Sequence, residues 1–202
     1  MHADSADIAA SAFAGMPAII GSGDGVIATE RIGLGIARIA ARSGRAAGMA
    51  ELLRAQLGLE LPDGPSCTSR GDVRIAGIGP GSWLATRNQA GNAFAASLRS
   101  LLGDCASVSD QSDAYVILRL AGPKVRETLA KLVPIDVHHR SFQAGDVAQT
   151  VCGYLNVILW RLEDTPQRDP VFEIWVGRSL AVSLHQAISH SAAEFGFKRH
   201  PA

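Results

Sequence analysis

From residue 107 to residue 162, apolar side chains gather into long runs separated by turn and capping residues. Side chains able to do chemistry are scarce there. A turn at Asp110 to Asp113 leads into an apolar strand over 115–120. Gly122-Pro123 then opens a helix, because proline suits the first helical position. Val125, Leu129 and Leu132 form its apolar stripe, and Pro134 stops it. Strands are predicted over 147–151, 155–162 and 171–176 from their β-branched and aromatic content. The run Leu155 to Trp160 does not alternate, so both its faces need cover, either from a central place in a sheet or from a partner on an edge. Ser179 is placed to cap a terminal helix that turns Leu180, Leu184, Ala187, Ile188, Ser191 and Phe195 inward.

The amino-terminal half is read in the same way. Residues 1–25 are rich in Ala, Ser and Gly, with weak periodicity. They are expected to form a loosely ordered arm or to lie on a neighbour, leaving one domain over 26–202. A β-branched run over 26–42 predicts strand, broken at Gly33 or Gly35. Ser43 then caps a helix with Ala46, Met49, Ala50, Leu53 and Leu57 on one face. Residues 62–71 read as loop by composition. Strands over 72–78 and 82–86 flank the turn Gly79-Pro80-Gly81. Asn88 caps a helix carrying Phe94, Ala95, Leu98, Leu101 and Leu102, and a short strand follows over 106–109.

Written as elements, a strand–helix–two-strand phrase occurs twice, each time followed by another helix. The fold class predicted is α+β: two interlocked split β-α-β (ferredoxin-like) halves, with helices packed on mostly antiparallel sheet.

Composition sharpens this picture. Hydrophobic residues make up 47% of the 202-residue chain and charged residues 19%, below the quarter usual for a globular domain. Another subunit is expected to cover the surplus apolar surface. The formal net charge is zero, which lacks the basic footprint of a nucleic-acid binder. Cys67, Cys105 and Cys152 stand far apart, as in a protein kept reduced in the cytoplasm. No run of eighteen apolar residues predicts a membrane span.

Candidate chemistry is thin. Gly21-x-Gly23 precedes a strand instead of following one, and Gly77-x-Gly79-Pro80-Gly81 carries a proline where a phosphate loop needs a backbone N–H. His185 and His190 are five apart and diverge on a helix. His138-His139 lacks the spacing of a metal site. Asp110 and Asp113 suit a turn better than an acid–base pair, and Ser82 lacks the spacing of a nucleophile elbow. The loop His138-His-Arg140-Ser-Phe142 stands apart, since an exposed arginine beside an aromatic ring is typical of interface hot spots. His138, Arg140 and Phe142 are therefore the candidate partner interface. No catalytic, cofactor-binding or metal residue is assigned.

Several segments together carry a resemblance. Ser109-Asp-Gln-Ser-Asp113, Leu118-Arg-Leu-x-Gly122-Pro123, Pro134-Ile-Asp136-Val-His138 with Arg140-x-Phe142, Gly145-Asp-Val-Ala-Gln-Thr150, Leu159-Trp160-Arg161, Arg178-Ser179 and Ala192-Ala-Glu194-Phe195-Gly196 are among them. Glu30-Arg31-x-Gly33-Leu-Gly35, Ala40-Ala-Arg-x-Gly44 and Gly79-Pro80-Gly81-x-Trp83-Leu84 extend it toward the amino terminus. In this order, over about residues 26–196, they resemble the gamma subunit of heterotetrameric sarcosine oxidase. That subunit is related in fold to the folate-binding domain of aminomethyltransferases.

The resemblance implies a non-catalytic accessory subunit of an oxidoreductase complex, contacting mainly the alpha subunit beside beta and delta. The complex would demethylate sarcosine to glycine, releasing hydrogen peroxide and either formaldehyde or methylenetetrahydrofolate. FAD, FMN, NAD, tetrahydrofolate and zinc would sit on the other subunits. The chain lacks the Lys-Gly-Cys-x-x-Gly-Gln-Glu type segment of folate-dependent relatives, so no ligand residue carries over. The alternative is a stand-alone tetrahydrofolate-binding one-carbon-transfer protein.

Overall fold

The computed structural model describes residues 11–200. In chain order the strands are β1 (Ile19–Ile20), β2 (Val26–Glu30), β3 (Gly35–Ala41), β4 (Cys67–Arg70), β5 (Val73–Gly79), β6 (Ser82–Arg87), β7 (Ala106–Asp110), β8 (Tyr115–Ala121), β9 (Val147–Cys152), β10 (Leu155–Leu162), β11 (Val171–Gly177) and β12 (Phe197–His200). The helices are α1 (Ala46–Leu57), α2 (Ala93–Leu102), α3 (Val125–Ala130) and α4 (Ala181–Ala192). Seven strands form one sheet in the order β1-β12-β2-β8-β11-β10-β9, and five form a second in the order β4-β5-β6-β3-β7. Every pairing is antiparallel except β12 with β2. The class is thus mixed α+β.

Strand periodicity explains how the layers stack. Side chains alternate between the two faces of a strand. Val116, Leu118 and Leu120 of β8, with Phe172, Ile174 and Val176 of β11, join Val125 and Leu129 of α3 and Leu184 and Ile188 of α4 in one apolar core. On the second sheet, Ala37 and Ile39 of β3 and Ile75 of β5 pack with Met49, Leu53, Phe94 and Leu98 of α1 and α2. The opposite faces meet between the sheets. There Ile117, Ile158, Trp160 and Trp175 from the larger sheet pack with Ile36, Ala76 and Leu84 from the smaller. The result is four layers, with helices outermost and two sheets face to face.

This layering accounts for the dry composition. The non-alternating run in β10 lies between β9 and β11, with Val157 and Leu159 facing the helices and Ile158 and Trp160 facing the second sheet. The surplus apolar residues go into an inter-sheet core, and no partner is needed to cover this strand. Among the described residues the exposed large hydrophobics are Ile19, Tyr154, Leu180 and Val182.

The amino-terminal arm is corrected over its described part. Phe13 is fully buried, and β1 pairs with β12. Glu30 accepts hydrogen bonds from the Ser11 hydroxyl at 2.5 Å and the Ala12 N–H at 2.9 Å, while Arg199 donates to the carbonyls of Phe13 and Met16. A core aromatic and a satisfied buried carboxylate hold this segment against its own chain. Residues 1–10 of the expected arm lie outside the described residues.

Helix starts also move. Helix α1 follows Arg45, with no side-chain cap from Ser43, and α2 follows Asn92. Asn88 instead accepts a hydrogen bond from Arg31 at 2.9 Å. Helix α4 follows a single 3-10 turn at Arg178–Leu180, which leaves Leu180 exposed.

Phe13 packs against His185, which is itself fully buried between Phe13 and Phe197 with ring centroids at 5.7 and 5.4 Å. Burial lowers the His185 pKa from its ordinary value, and the Arg199 charge adds to this. The Pro17 carbonyl acts in the other direction. Because the folded state holds off a proton that the unfolded chain accepts near pH 6.5, the stabilisation is complete above that pH and is lost as pH falls through the lowered folded value. Urea titrations between pH 8 and 5 should show stability falling toward acid, and His185→Leu should flatten that slope. An unchanged slope in the variant would assign the acid sensitivity to other groups.

Candidate functional site

The expected interface loop is only partly at the surface. His138 and Arg140 are exposed. The His138 Nδ1 accepts the Arg140 N–H at 3.3 Å, and Asp136 accepts from the His138 N–H at 2.9 Å and the Ser141 hydroxyl at 2.6 Å. These bonds, the Ser141 hydroxyl foremost, hold the Asp136 carboxyl below its usual range. Phe142, by contrast, is buried and stacks on Phe172 with ring centroids 6.2 Å apart. It belongs to the helix-side core and presents no ring to a partner. A residue after a polar loop reads as exposed, yet its partner lies thirty positions away on β11. Phe142→Ala should therefore lower stability by about 3–5 kcal/mol, read as a shift in urea midpoint.

The most organised polar constellation lies elsewhere, at one end of the inter-sheet layer. Glu173 interrupts the apolar strand β11 and is 2% exposed. Arg119 stands opposite it on β8 in the strand register. Glu173 Oε1 accepts from Arg119 Nη2 at 2.6 Å and Nε at 3.1 Å, and Oε2 accepts from Arg74 Nη1 at 3.2 Å, across from β5. Arg31, just after β2, places its Nε 3.8 Å from the same carboxylate. One buried anion thus gathers three guanidinium groups from two strands and a strand end. Burial lowers the Arg31 pKa, the neighbouring Arg119 charge adds to this, and Glu173 opposes it.

Arg31 and Arg119 fall within segments that carry the resemblance, but no motif assigns the four residues a role; Glu173 and Arg119 show only as lone charges inside apolar strands, in Val171-Phe-Glu173-Ile-Trp and Val116-Ile-Leu-Arg119-Leu. A charge in the middle of a buried strand needs a partner, but the strand alone does not say which.

Two of the thiols are poorly suited to reacting. Burial pushes the Cys67 thiol, beside Arg74, up to about 11 and the Cys152 thiol up to about 12, so both remain protonated and weakly nucleophilic at neutral pH. Among the described residues no three His, Cys, Asp or Glu side chains converge as a metal site would require. His138 and His139 lie side by side at 4.1 Å, and Asp110 accepts from the N–H and hydroxyl of Ser112 within its own turn. No helix among the described residues is long and apolar enough to cross a membrane.

Residues 66–200 match the GCVT N-terminal domain family. Sarcosine oxidase subunit gamma of an Arthrobacter species is 28% identical over 130 residues, which are 63% of this chain and 62% of that relative's length. The similarity read from the motifs therefore holds, and it spans under two thirds of that curated relative. Among solved structures, the heterotetrameric sarcosine oxidase of Corynebacterium sp. U-96 in complex with pyrrole 2-carboxylate superposes with a TM-score of 0.75 at 23% identity. The superposition covers 87% of this chain and 88% of that one. The glycine cleavage system aminomethyltransferase T of Bartonella henselae gives a TM-score of 0.61 at 13% identity, over 87% of this chain and 47% of that one. At these identities the two structures establish a shared fold. With well over half of its length matched, the chain belongs to the GCVT N-terminal domain family.

Proposed function

We propose that this chain is a non-catalytic accessory subunit of a heterotetrameric sarcosine oxidase. The likeness to the Arthrobacter gamma subunit is the observation that carries the reading. Extent supports it: the fold similarity covers 88% of the sarcosine oxidase chain but 47% of the aminomethyltransferase. In this reading the chain rests mainly on the alpha subunit, with beta and delta completing the assembly. The assembly demethylates sarcosine oxidatively to glycine, with hydrogen peroxide and formaldehyde or methylenetetrahydrofolate as products. FAD, FMN, NAD, tetrahydrofolate and zinc belong to the other subunits, and the complex is cytoplasmic.

The same reading takes the architecture as two interlocked split β-α-β halves. Strand orders support it: β6 lies between β5 and β3, which α1 joins in sequence, and β11 lies between β8 and β10. The interlock would be β2, seated between β12 and β8 of the other half.

Permanent subunits bury roughly 2,000 Å² or more between them. Expressed alone, the chain is expected to aggregate, and co-expression with the alpha subunit is expected to return it to solution. His138 and Arg140 remain the exposed candidates for that contact. Arg140→Ala should lower complex yield while changing the chain's unfolding free energy by less than about 0.5 kcal/mol; unchanged yield would move the interface elsewhere. The second reading, a stand-alone tetrahydrofolate-binding one-carbon-transfer protein, requires a monodisperse monomer that binds tetrahydrofolate at micromolar concentration in a calorimeter. That result would replace the first reading.

A further inference from the structure

The arginine cluster around Glu173 is over-supplied with positive charge. Three guanidinium groups face one carboxylate, leaving two charges in excess in a layer where Arg31, Arg74 and Arg119 are 21%, 23% and 29% exposed. A guanidinium offers five N–H donors. Glu173 takes the Nε and Nη2 of Arg119 and the Nη1 of Arg74. The Nη1 of Arg119 and the Nε and Nη2 of Arg74 have no protein acceptor among the described residues. Arg74 and Arg119 both line a cleft of about 450 Å³ at the ends of β8 and β11, whose walls also carry the hydroxyl residues Ser69 and Thr165. Arg161, on the same wall, gives Nη1 to the carbonyls of Leu162 and Val171 and Nη2 to Asp164, while its buried Nε has no partner among the described residues. Glu163 is exposed on the cleft wall and opposes an incoming anion.

We propose that this cleft binds a small divalent oxyanion of the phosphate class, as free phosphate or as the phosphate group of a small monoester, held by Arg74 and Arg119. Arg31 lines a separate cleft, so the anion meets the free forks of Arg74 and Arg119, with Arg31 adding its charge from behind Glu173. Paired arginines offer the forked donors that phosphate oxygens accept, and the hydroxyls of Ser69 and Thr165 provide further donors in reach of the cleft. Glu173 beneath them fixes both guanidinium groups in place before the ligand arrives, which reduces the ordering needed on binding. This site stands independently of the accessory-subunit reading, because it uses residues of one chain only.

The test is calorimetric titration of inorganic phosphate and of glycerol 2-phosphate into the full-length chain, in whatever assembly it purifies, at constant ionic strength. Saturable binding is expected with at least one probe, and acetate at the same concentration should not displace it. Arg74→Gln should weaken binding about tenfold, as expected for loss of a charge-assisted contact. Glu163→Gln should tighten it about two- to threefold by removing a repulsive charge near the anion. Circular dichroism of both variants should match the parent, and the Glu163 variant keeps the test informative if Arg74→Gln folds poorly. Tighter binding of the ester assigns a phosphorylated small molecule, and equal binding assigns the free anion. Absence of saturable binding, or an affinity indifferent to both substitutions, would overturn the proposal. So would loss of complex yield in Arg74→Gln without phosphate binding in the parent, since that result gives the cleft to a partner's carboxylate.

Discussion

Glu173→Gln is expected to lower stability by about 3–5 kcal/mol, the usual effect of breaking a buried ionic set by removing one partner. Glutamine keeps the shape of the side chain, so the loss isolates charge from packing. Without the carboxylate, Arg31, Arg74 and Arg119 face one another within a half-buried layer, and their mutual repulsion adds to the loss of hydrogen bonds at 2.6–3.2 Å. Arg119→Gln should cost less, because Glu173 keeps Arg74 at 3.2 Å and Arg31 at 3.8 Å. Urea unfolding of the two variants and their double mutant separates the pair's coupling from its single effects. A loss below about 1 kcal/mol for Glu173→Gln would mean the cluster is solvated in solution and contributes as an ordinary surface pair does. Added phosphate should partly restore Glu173→Gln if the cleft holds an oxyanion, which links this stability measurement to the binding site.

Trp160→Ala is expected to cost a similar amount, about 3–5 kcal/mol. Trp160 is fully buried and stacks on Trp175 with ring centroids 4.5 Å apart, at the centre of the layer joining the two sheets. Its removal opens a cavity between two stiff sheets that cannot collapse to fill it, so the loss falls toward the upper end of the range. Trp160→Phe, which keeps a ring in contact with Trp175, should recover more than half of it. Loss of the near-ultraviolet dichroism of the Trp pair in both variants would confirm that the stack is broken. Retention of that signal in Trp160→Ala would contradict the stacking of Trp160 on Trp175.

The elements legible from the sequence are those whose pattern is local. Strands β8 to β11, the β5–β6 hairpin and the helical stripes of Met49, Leu53, Phe94, Leu98, Leu184 and Ile188 follow from periodicity, because each buries one face or both along its own length. Strands β1, β4 and β12 were not legible. Ile19–Ile20 is two residues long, Cys67–Arg70 sits in a stretch rich in Pro and Gly, and Phe197–His200 carries three basic or polar side chains. These segments are strands because an edge of an existing sheet pairs them, which is tertiary context overriding propensity.

Glycine positions show the same dependence on distant chain. A Cβ at Gly77 would meet the Gly64 carbonyl oxygen at 2.0 Å, so the backbone of 64–66 can cross β5 only at a residue without a side chain. Gly122, at φ +133°, lies against the Gly25 carbonyl in the same manner. In the sequence Gly77 falls within the strand over 72–78 and Gly122 at the opening of a helix, whereas the constraint on both is close approach of another segment.

The polar cluster was illegible for a related reason. Arg31, Arg74, Arg119 and Glu173 lie on different elements and meet only after both sheets have formed. Phe142 shows the opposite limit: it has the composition of a hot spot, but its ring turns inward to Phe172. What the sequence carried best was resemblance, since motifs spread over 26–196 needed no geometry to be recognised.

The accessory-subunit reading is tested most directly by recovering the tagged full-length chain from its native cell and assaying the purified assembly. One stoichiometric complex with larger flavin-bearing subunits is expected, whose flavin absorbance bleaches on addition of sarcosine under anaerobic conditions. A monomeric chain free of flavoprotein, or a complex whose flavin ignores sarcosine, would contradict it.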